Sequence, residues 1–390
     1  MPFTDLAAEA MASSDNGLGM AIPASEPWTH GDFLFVRLED EDGNEGWGEV
    51  FVWMPESGTS AEQMVHAIEA HLARYVLGQD PADVRAIRAA MDRNVARNGP
   101  PKAGLDLACF DLAARQMGRP VHDLLGGRHP DPIPMACLVP LVATDVMVWI
   151  VRNAVDSGYR TVRLKLGKGP DADREIVAAV RAEVGNDIRI RVDYNQAYRP
   201  AEAIRAIKAI EPFGIDAAEQ PLPMGDVLGM VEVQQAVDVP LFLHEGFFEA
   251  CDVVSLVELG GSRVLGINIE RPGGILPALD LIDWGAQRGM GTILHNQSLG
   301  VSTAAHLHLA TSRLDRLGHA VELAGDVMFS HPLVTDPIRI EDGHCVVPPG
   351  PGWGVTVDRH ALDDHLAGPV CHIDVGQFER HRVGQDRGDR

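Results

Sequence analysis

Positive charge is scarce in this chain of 390 residues: 33 Lys and Arg stand against 56 Asp and Glu, a formal net charge of −23. So acidic a protein repels nucleic acid and anionic membrane, which argues against both as partners. It attracts an anionic substrate at long range only where a bound cation reverses the local field. Cysteine is sparse too. Cys109, Cys137, Cys251, Cys345 and Cys371 are odd in number and scattered, with no CxxC pair, which favours reduced cytosolic thiols over a disulfide framework. No stretch approaches the roughly 18 uninterrupted apolar residues of a membrane span, and the N-terminus lacks a basic segment leading into an apolar one. A soluble, cytoplasmic protein is expected.

What the chain has is a set of regularly spaced acids. Asp187-Ile-Arg-Ile-Arg-Val-Asp193 alternates as a strand and breaks into a polar cluster at Asp193. Phe213-Gly-Ile-Asp-Ala-Ala ends likewise in Glu219-Gln-Pro, and Val239-Pro-Leu-Phe-Leu in His244-Glu245-Gly. Asp193 and Glu219 are 26 residues apart, and Glu219 and Glu245 again 26. A carboxylate thus closes three successive apolar runs at the spacing of one βα unit.

Before this region, Phe33–Glu39 and Glu45–Phe51 read as a hairpin about Asp42-Gly-Asn. Three helices follow. The first has Ser60 as N-cap with Gln63 three residues on, and Met64, Ile68, Leu72 and Tyr75 along one face. The second has Pro81 in its first turn, and the third spans Ala103 to Met117. Within residues 1–30, Ala7 to Met11 reads as a short helix, and Ser13-Ser-Asp-Asn-Gly and Ile22-Pro-Ala-Ser-Glu-Pro read as loop. An α+β unit over 1–128 follows, with Leu124-Leu-Gly-Gly as the way out of it.

From 129 to 335 the rhythm becomes strand, loop, helix. Strands are expected over Pro134–Pro140 and 160–167, then ending at Asp193, Glu219 and Glu245, then over Arg263–Asn268, Thr292–His295 and His319–Glu322. Eight such units of about 25–28 residues fit a closed (β/α)8 TIM-type barrel better than an open sheet. No glycine-rich phosphate loop follows the first strand, which counts against a nucleotide-binding sheet. Short strands over 336–376, among them Ile338–Glu341 and Gly352–Val357, should leave the barrel and pack back on the N-terminal unit. Residues 377–390 are expected to be a disordered tail.

In a barrel the C-terminal ends of the strands share one mouth. That gathers Lys165, Asp193, Glu219, Glu245, Asn268, His295 and Glu322 round one cavity. Three carboxylates from adjacent strands need a cation, and all-oxygen ligation suits Mg²⁺. Lys165 and His295, on opposite sides of the arc, are candidate acid/base groups. His306 and His308 lie inside a helical run and are not a metal pair.

These residues resemble the enolase superfamily, in its mandelate racemase and muconate lactonizing branch. The likeness runs through Asp42-Gly-Asn-Glu-Gly-Trp-Gly-Glu49, Lys102-Ala-Gly-Leu-Asp106, Leu124-Leu-Gly-Gly, Lys165, Asp193-Tyr-Asn195, Glu219-Gln-Pro, Glu245, Gly273-Gly274 and His295. It implies an α/β fold, a modified (β/α)8 barrel under an α+β capping domain that the C-terminal strands complete. It also implies Mg²⁺-assisted removal of the proton α to a carboxylate. Asp193, Glu219 and Glu245 are then the metal ligands, Lys165 the second-strand base and His295 the seventh-strand acid/base. Glu322 contacts the substrate carboxylate, and Asn195 the substrate or a metal-bound water. Arg163 stands where members often have a first lysine of Lys-x-Lys.

The departure is Asn268, five residues before the Gly-Gly pair, where the branch carries a lysine base or an aspartate that orients the histidine. Asn268 can orient an imidazole without supplying charge, and Glu270 can replace it only if the strand end bends. The reading favoured by sequence is a lyase, dehydrating a hydroxy or sugar acid with Lys165 and His295. The alternatives are racemisation, epimerisation or lactone cycloisomerisation by the same pair, or a non-catalytic metal- and carboxylate-binding homologue. Specificity is expected in the capping loops, Asn16 to His30 and Val52 to Ser57, where Trp53 and Met54 either line the pocket or pack the domain interface. A small carboxylate substrate and a homo-oligomer are implied.

Overall fold

In the computed structural model, which describes residues 1–12, 20–21, 28–52, 54–368 and 370–378, helix α1 (Asp5–Ala12) precedes a hairpin of β1 (Asp32–Glu39) and β2 (Glu45–Val52). The two strands pair in unbroken register from Asp32–Val52 to Glu39–Glu45. Asp40 closes the turn, its carboxylate accepting the N–H of Asp42 at 3.0 Å and of Asn44 at 2.8 Å. Trp53 and most of the Asn16–His30 loop lie outside the described residues.

The helices of the cap are α2 (Ala61–Ala67), α3 (Val84–Asn94) and α4 (Gly99–Gln116). Ser60 and Gln63 form the expected capping box. The stripe continues through Ile68–Leu72 and Ala73–Tyr75, but the backbone there widens and then tightens into non-α turns. Pro81 precedes its helix instead of starting it; Val84 opens it after Asp83. Helix α4 begins four residues before Ala103 because Pro100 and Pro101 suit a first turn that needs no N–H from them. It lies so close to the hairpin that a Cβ on Gly46 or Gly48 would strike the carbonyls of Ala108 or Gly104.

The barrel strands are β4 (Ala136–Val139), β5 (Thr161–Lys165), β6 (Arg189–Asp193), β7 (Ile215–Glu219), β8 (Leu241–Phe242), β9 (Val264–Ile267), β10 (Gly291–Asn296) and β11 (Glu322–Leu323). Strands β4 to β8 form one parallel sheet in chain order, and β9 to β11 a second. A few contacts join them: Ala136 N–H to Val321 O at 2.8 Å and Val321 N–H to Pro134 O at 2.9 Å on one side, Arg263 N–H to Leu241 O at 3.1 Å and Ser262 Oγ to the same oxygen at 2.8 Å on the other. Helices α5 (Thr144–Asp156), α6 (Pro170–Val184), α7 (Pro200–Ile210), α8 (Val227–Ala236), α9 (Ala250–Glu258), α10 (Ile275–Ala286) and α11 (Gly300–Ser312) alternate with the strands. Along β5 and β6 apolar residues facing the helices alternate with charged and small ones facing the barrel interior.

Among the boundaries that differ from expectation, three bear on the cap and the site. The first strand is split: β3 (Ile133–Pro134) leaves the barrel and pairs antiparallel with a C-terminal strand (His344–Cys345), itself paired with Ile340–Glu341. Proline has no N–H for a central parallel ladder. Strand β8 stops at Phe242, so Glu245 lies three residues past its end. Gly352–Val357 is not a strand, yet it does pack on the cap. Trp353, wholly buried, donates its backbone N–H to Asp111 at 2.8 Å and its Nε1–H to Trp47 O at 2.9 Å. Phe378, placed by sequence in the tail, packs on the core beneath Arg74, 5.3 Å from its ring centroid; residues 379–390 lie outside the described residues.

Candidate active site at the barrel mouth

Alternation along the strands sends Arg163 and Lys165 of β5, Arg191 and Asp193 of β6, and Ala217 and Glu219 of β7 to the barrel interior. The floor pairs apolar Ala217, Phe242, Val264 and Ile293 with the two arginines. Above it the register sets Lys165 opposite Asp193, Asp193 opposite Glu219, and His295 opposite Glu322. All of these side chains are buried.

The contacts run round the mouth. Lys165 Nζ donates to Asp193 Oδ2 at 2.5 Å and to Asn195 Oδ1 at 2.8 Å. Asn195 Nδ2 donates in turn to Glu245 Oε1 at 2.8 Å, so the carboxylate beyond β8 still joins the set. Arg163 bonds Asp193, Glu219 Oε1 at 2.7 Å and, through Nη1, Glu322 Oε1 at 2.6 Å. Glu322 also faces Arg191 at 3.4 Å. Glu322 and Arg163 thus form an ion network within the barrel. Asn195, Gln196 and Gln220, directly past the β6 and β7 ends, hold positive φ of 42°, 66° and 35° without being glycine. Such backbone strain clusters where side chains must be aimed.

His295 sits beside this set. One ring nitrogen of His295, one of His244 and a Glu219 oxygen lie within 4.8 Å of one another, and the two rings are 3.9 Å apart, edge to face. Nε2 of His295 is buried and has no hydrogen-bond partner among the described residues. Asn268 does not orient it: Asn268 Oδ1 accepts the N–H of Glu270 at 2.8 Å. Nor does Glu270, whose carboxylate accepts from Asn296 Nδ2 at 2.6 Å and Ser302 Oγ at 3.1 Å.

A model of the enolase C-terminal domain-like family matches residues 147–361, and one of the mandelate racemase/muconate lactonizing enzyme N-terminal domain matches 22–126. This chain belongs to the mandelate racemase/muconate lactonizing branch of the enolase superfamily. It is 27% identical over 341 residues to an N-succinyl-L-Arg/Lys racemase of Bacillus cereus, across 85% of this chain and 89% of that one. It is 30% identical over 289 residues to a hydrophobic dipeptide epimerase of Enterococcus faecalis, across 73% and 81%. The crystal structure of a Pseudomonas fluorescens muconate lactonizing enzyme complexed with muconolactone superposes with a TM-score of 0.80 at 27% identity, over 85% of this chain and 91% of that one. The chain is therefore an enzyme of this superfamily, and its relatives favour racemase, epimerase or cycloisomerase chemistry over the dehydration expected from sequence. No helix among the described residues is long and apolar enough to cross a membrane.

Superfamily membership raises the question of a divalent cation, and the donor set can be tested for it. Burial, with Asp193 and Glu245 adding their charge, pushes Glu219 well above the usual carboxylate range although Arg163 and Lys165 pull it back. Burial also works against the Asp193 carboxylate, but Arg163 and Lys165 hold it below its ordinary value. Like charge is thus still crowded at Glu219 with Arg163 in contact with it and Lys165 in contact with Asp193. Three buried carboxylates so crowded fit a hard divalent cation. Burial, then Arg163, Arg271, Arg191 and Lys165, push His295 well below its ordinary value, so its imidazole is neutral near pH 7.

Sequence reasoning missed His244. It had marked the residue only as the end of an apolar run, yet Nδ1 lies 3.2 Å from Glu219 Oε1 and 3.8 Å from Glu245 Oε2. Its place immediately before Glu245 at a strand end was the available signal. Gln220 was missed as well: its side-chain oxygen accepts the N–H of His244 at 3.1 Å and of Gly246 at 3.2 Å, aiming the loop that carries Glu245.

Proposed function

We propose that this enzyme moves a proton on and off the carbon α to a carboxylate, as a racemase or epimerase of a small carboxylic acid, with Mg²⁺ as cofactor. The observation that carries the reading is the pair of acid/base groups flanking one buried carboxylate set. Lys165 stands against Asp193 and Asn195, and His295 stands beside Glu219 with an unpartnered Nε2. Asp193, Glu219 and Glu245 would hold the cation, which supplies positive charge opposite the negative charge that builds on the substrate carboxylate as the α-proton leaves.

In this reading Lys165 Nζ takes the proton from one face and His295 Nε2 returns one to the other; the reverse direction exchanges the roles. Neutral imidazole suits both halves, since it can accept at Nε2 and donate once protonated. Asn195 holds the lysine amine in place through the Oδ1 contact. Arg163 pairs with two of the ligand carboxylates, Asp193 and Glu219, and with Glu322. Relatives named as racemase and epimerase support this over cycloisomerisation, which is the second reading because other relatives are named muconate cycloisomerases. The cap over 1–128 and 336–376, and the barrel over 129–335, are the division we propose for these tasks.

The test is α-proton exchange in D₂O with Mg²⁺-loaded enzyme. The panel holds both enantiomers of N-succinylarginine, the Ala-Glu diastereomers, muconolactone and acid sugars. Deuterium entering both enantiomers of one acid is expected. Turnover of an acid sugar with loss of water, and no exchange of the chiral amides, would return the reading to dehydration.

A further inference from the structure

Two motifs of the sequence have no role in the proton transfer itself: the Gly-Trp-Gly-Glu49 end of the cap hairpin and the acid two residues past Asn268. Both converge on the segment that follows His295. Glu49, on β2, is wholly buried. Its Oε1 accepts the N–H of Leu299 at 2.6 Å, and its Oε2 those of Val301 at 3.0 Å and Ser302 at 3.1 Å. These are the otherwise unpaired donors at the start of α11, so the cap supplies the N-cap of a barrel helix. Glu270 accepts from Asn296 Nδ2 and Ser302 Oγ, the two ends of the same turn. Asn296 Oδ1 accepts the N–H of Gln297 at 2.7 Å. The stretch from His295 to α11 is thereby held at Asn296, Gln297, Leu299, Val301 and Ser302. Burial, with the charge of Glu270 added, pushes Glu49 up to about 8 against the pull of the N–H groups of Ser302, Leu299 and Val301.

We infer that Glu49 is a positioning residue for His295: from the capping domain it fixes the seventh-strand end so that the imidazole keeps its place beside Glu219 without a carboxylate partner of its own. The usual device, a side chain on the sixth strand that orients the ring, is absent here because Asn268 is engaged with Glu270. Orientation comes instead from the backbone on the C-terminal side of the histidine. It also ties the acid/base on that face to docking of the cap, whereas Lys165 is held from within the barrel by Asp193 and Asn195. The inference rests on the proposed role of His295.

Glu49→Gln tests it in the full-length, Mg²⁺-loaded chain. An amide nitrogen in place of one carboxylate oxygen sets donor against donor at the helix start. Amide hydrogen exchange should quicken about tenfold or more over 297–302 and stay unchanged over 189–196. Misplacement of about 1 Å costs up to about a hundredfold in rate, so exchange into the N-succinylarginine enantiomer addressed by His295 should fall by that order. Exchange into the enantiomer addressed by Lys165 should hold, and KM should change little. Unaltered protection over 297–302, or an equal loss on both faces, would overturn the inference. Ser302→Ala removes only one side-chain bond and serves if Glu49→Gln does not fold; it should show the same face selectivity in smaller degree, and equal loss on both faces counts against the inference there too. Failure of the wild type to exchange either enantiomer, with 297–302 released in the variant, would sink the proposed reaction but not the contact. If His295→Asn leaves both faces active, the role of His295 is lost and this inference with it.

Discussion

Arg163 occupies the oxygens that a metal ion would use, which makes Arg163→Met a sharp test. The guanidinium contacts Asp193, Glu219 and Glu322 from one buried position. Each unit-charge pair at about 4 Å is worth about 4 kcal/mol at an effective dielectric of about 20, before desolvation is subtracted. Removing one partner of a buried ion network costs about 3–5 kcal/mol because the remaining charges are left unpaired. In EDTA, then, Arg163→Met should lose about that much stability in urea unfolding. Mg²⁺ should restore most of it, since a divalent cation meets the same carboxylates with Lys165, on Asp193, as the remaining cationic contact. Isothermal calorimetry should show Mg²⁺ binding at least about tenfold tighter than in the wild type, the equivalent of about 1.4 kcal/mol. A folded Arg163→Met protein that binds Mg²⁺ no better than wild type would refute the idea that Arg163 and the metal share ligands. Weaker binding would instead make Arg163 an organiser of the ligand set.

Glu219→Gln, which removes one of the three proposed ligand carboxylates, should abolish Mg²⁺ binding by calorimetry, and unchanged affinity would take Glu219 out of the site. His295→Asn should keep α-proton exchange on the Lys165 face while losing it on the other; loss of both in a folded protein would make His295 the initiating base in each direction. His308 is held by burial at about 3 in the fold, against about 6.5 in the unfolded chain. Because this folded value is depressed, the unfolded state binds the extra proton below pH 6.5 and the stability contribution is lost as pH falls. His308→Asn should therefore gain on the wild type by about 1.4 kcal/mol for each pH unit between about 6.5 and 4. A constant gap in urea midpoints over that range would refute a neutral, buried His308.

The carboxylate spacing was legible because strand periodicity and the βα repeat both act through local sequence. Asp193 and Glu219 end strands as expected, and the contacts among Lys165, Asp193, Asn195 and Glu245 follow from the barrel. Where sequence fell short, the determinant was long-range. Arg163 reads as a neighbour of Lys165 along the chain, but its partners lie on β6, β7 and β11. Strand β8 is cut short at Phe242 although its apolar run continues to Leu243, because pairing with β7 ends there. Glu49 reads as one more acid in a hairpin, and its partners lie about 250 residues away on α11.

Asn268 shows most clearly what the local pattern leaves out. On sequence it is a gap in the expected machinery, a neutral side chain where the branch places a base or an orienting acid. In the fold its oxygen turns the chain so that Glu270 faces Asn296 and Ser302 instead of the histidine. The imidazole is then left without an orienting carboxylate on the sixth strand, and burial, with the four cationic side chains of Arg163, Arg271, Arg191 and Lys165 added to it, opposes its protonated form. A proton taken up by His295 is therefore held weakly and given back readily, which serves a general acid whether the proton goes to the opposite face of the α carbon or to a departing hydroxyl.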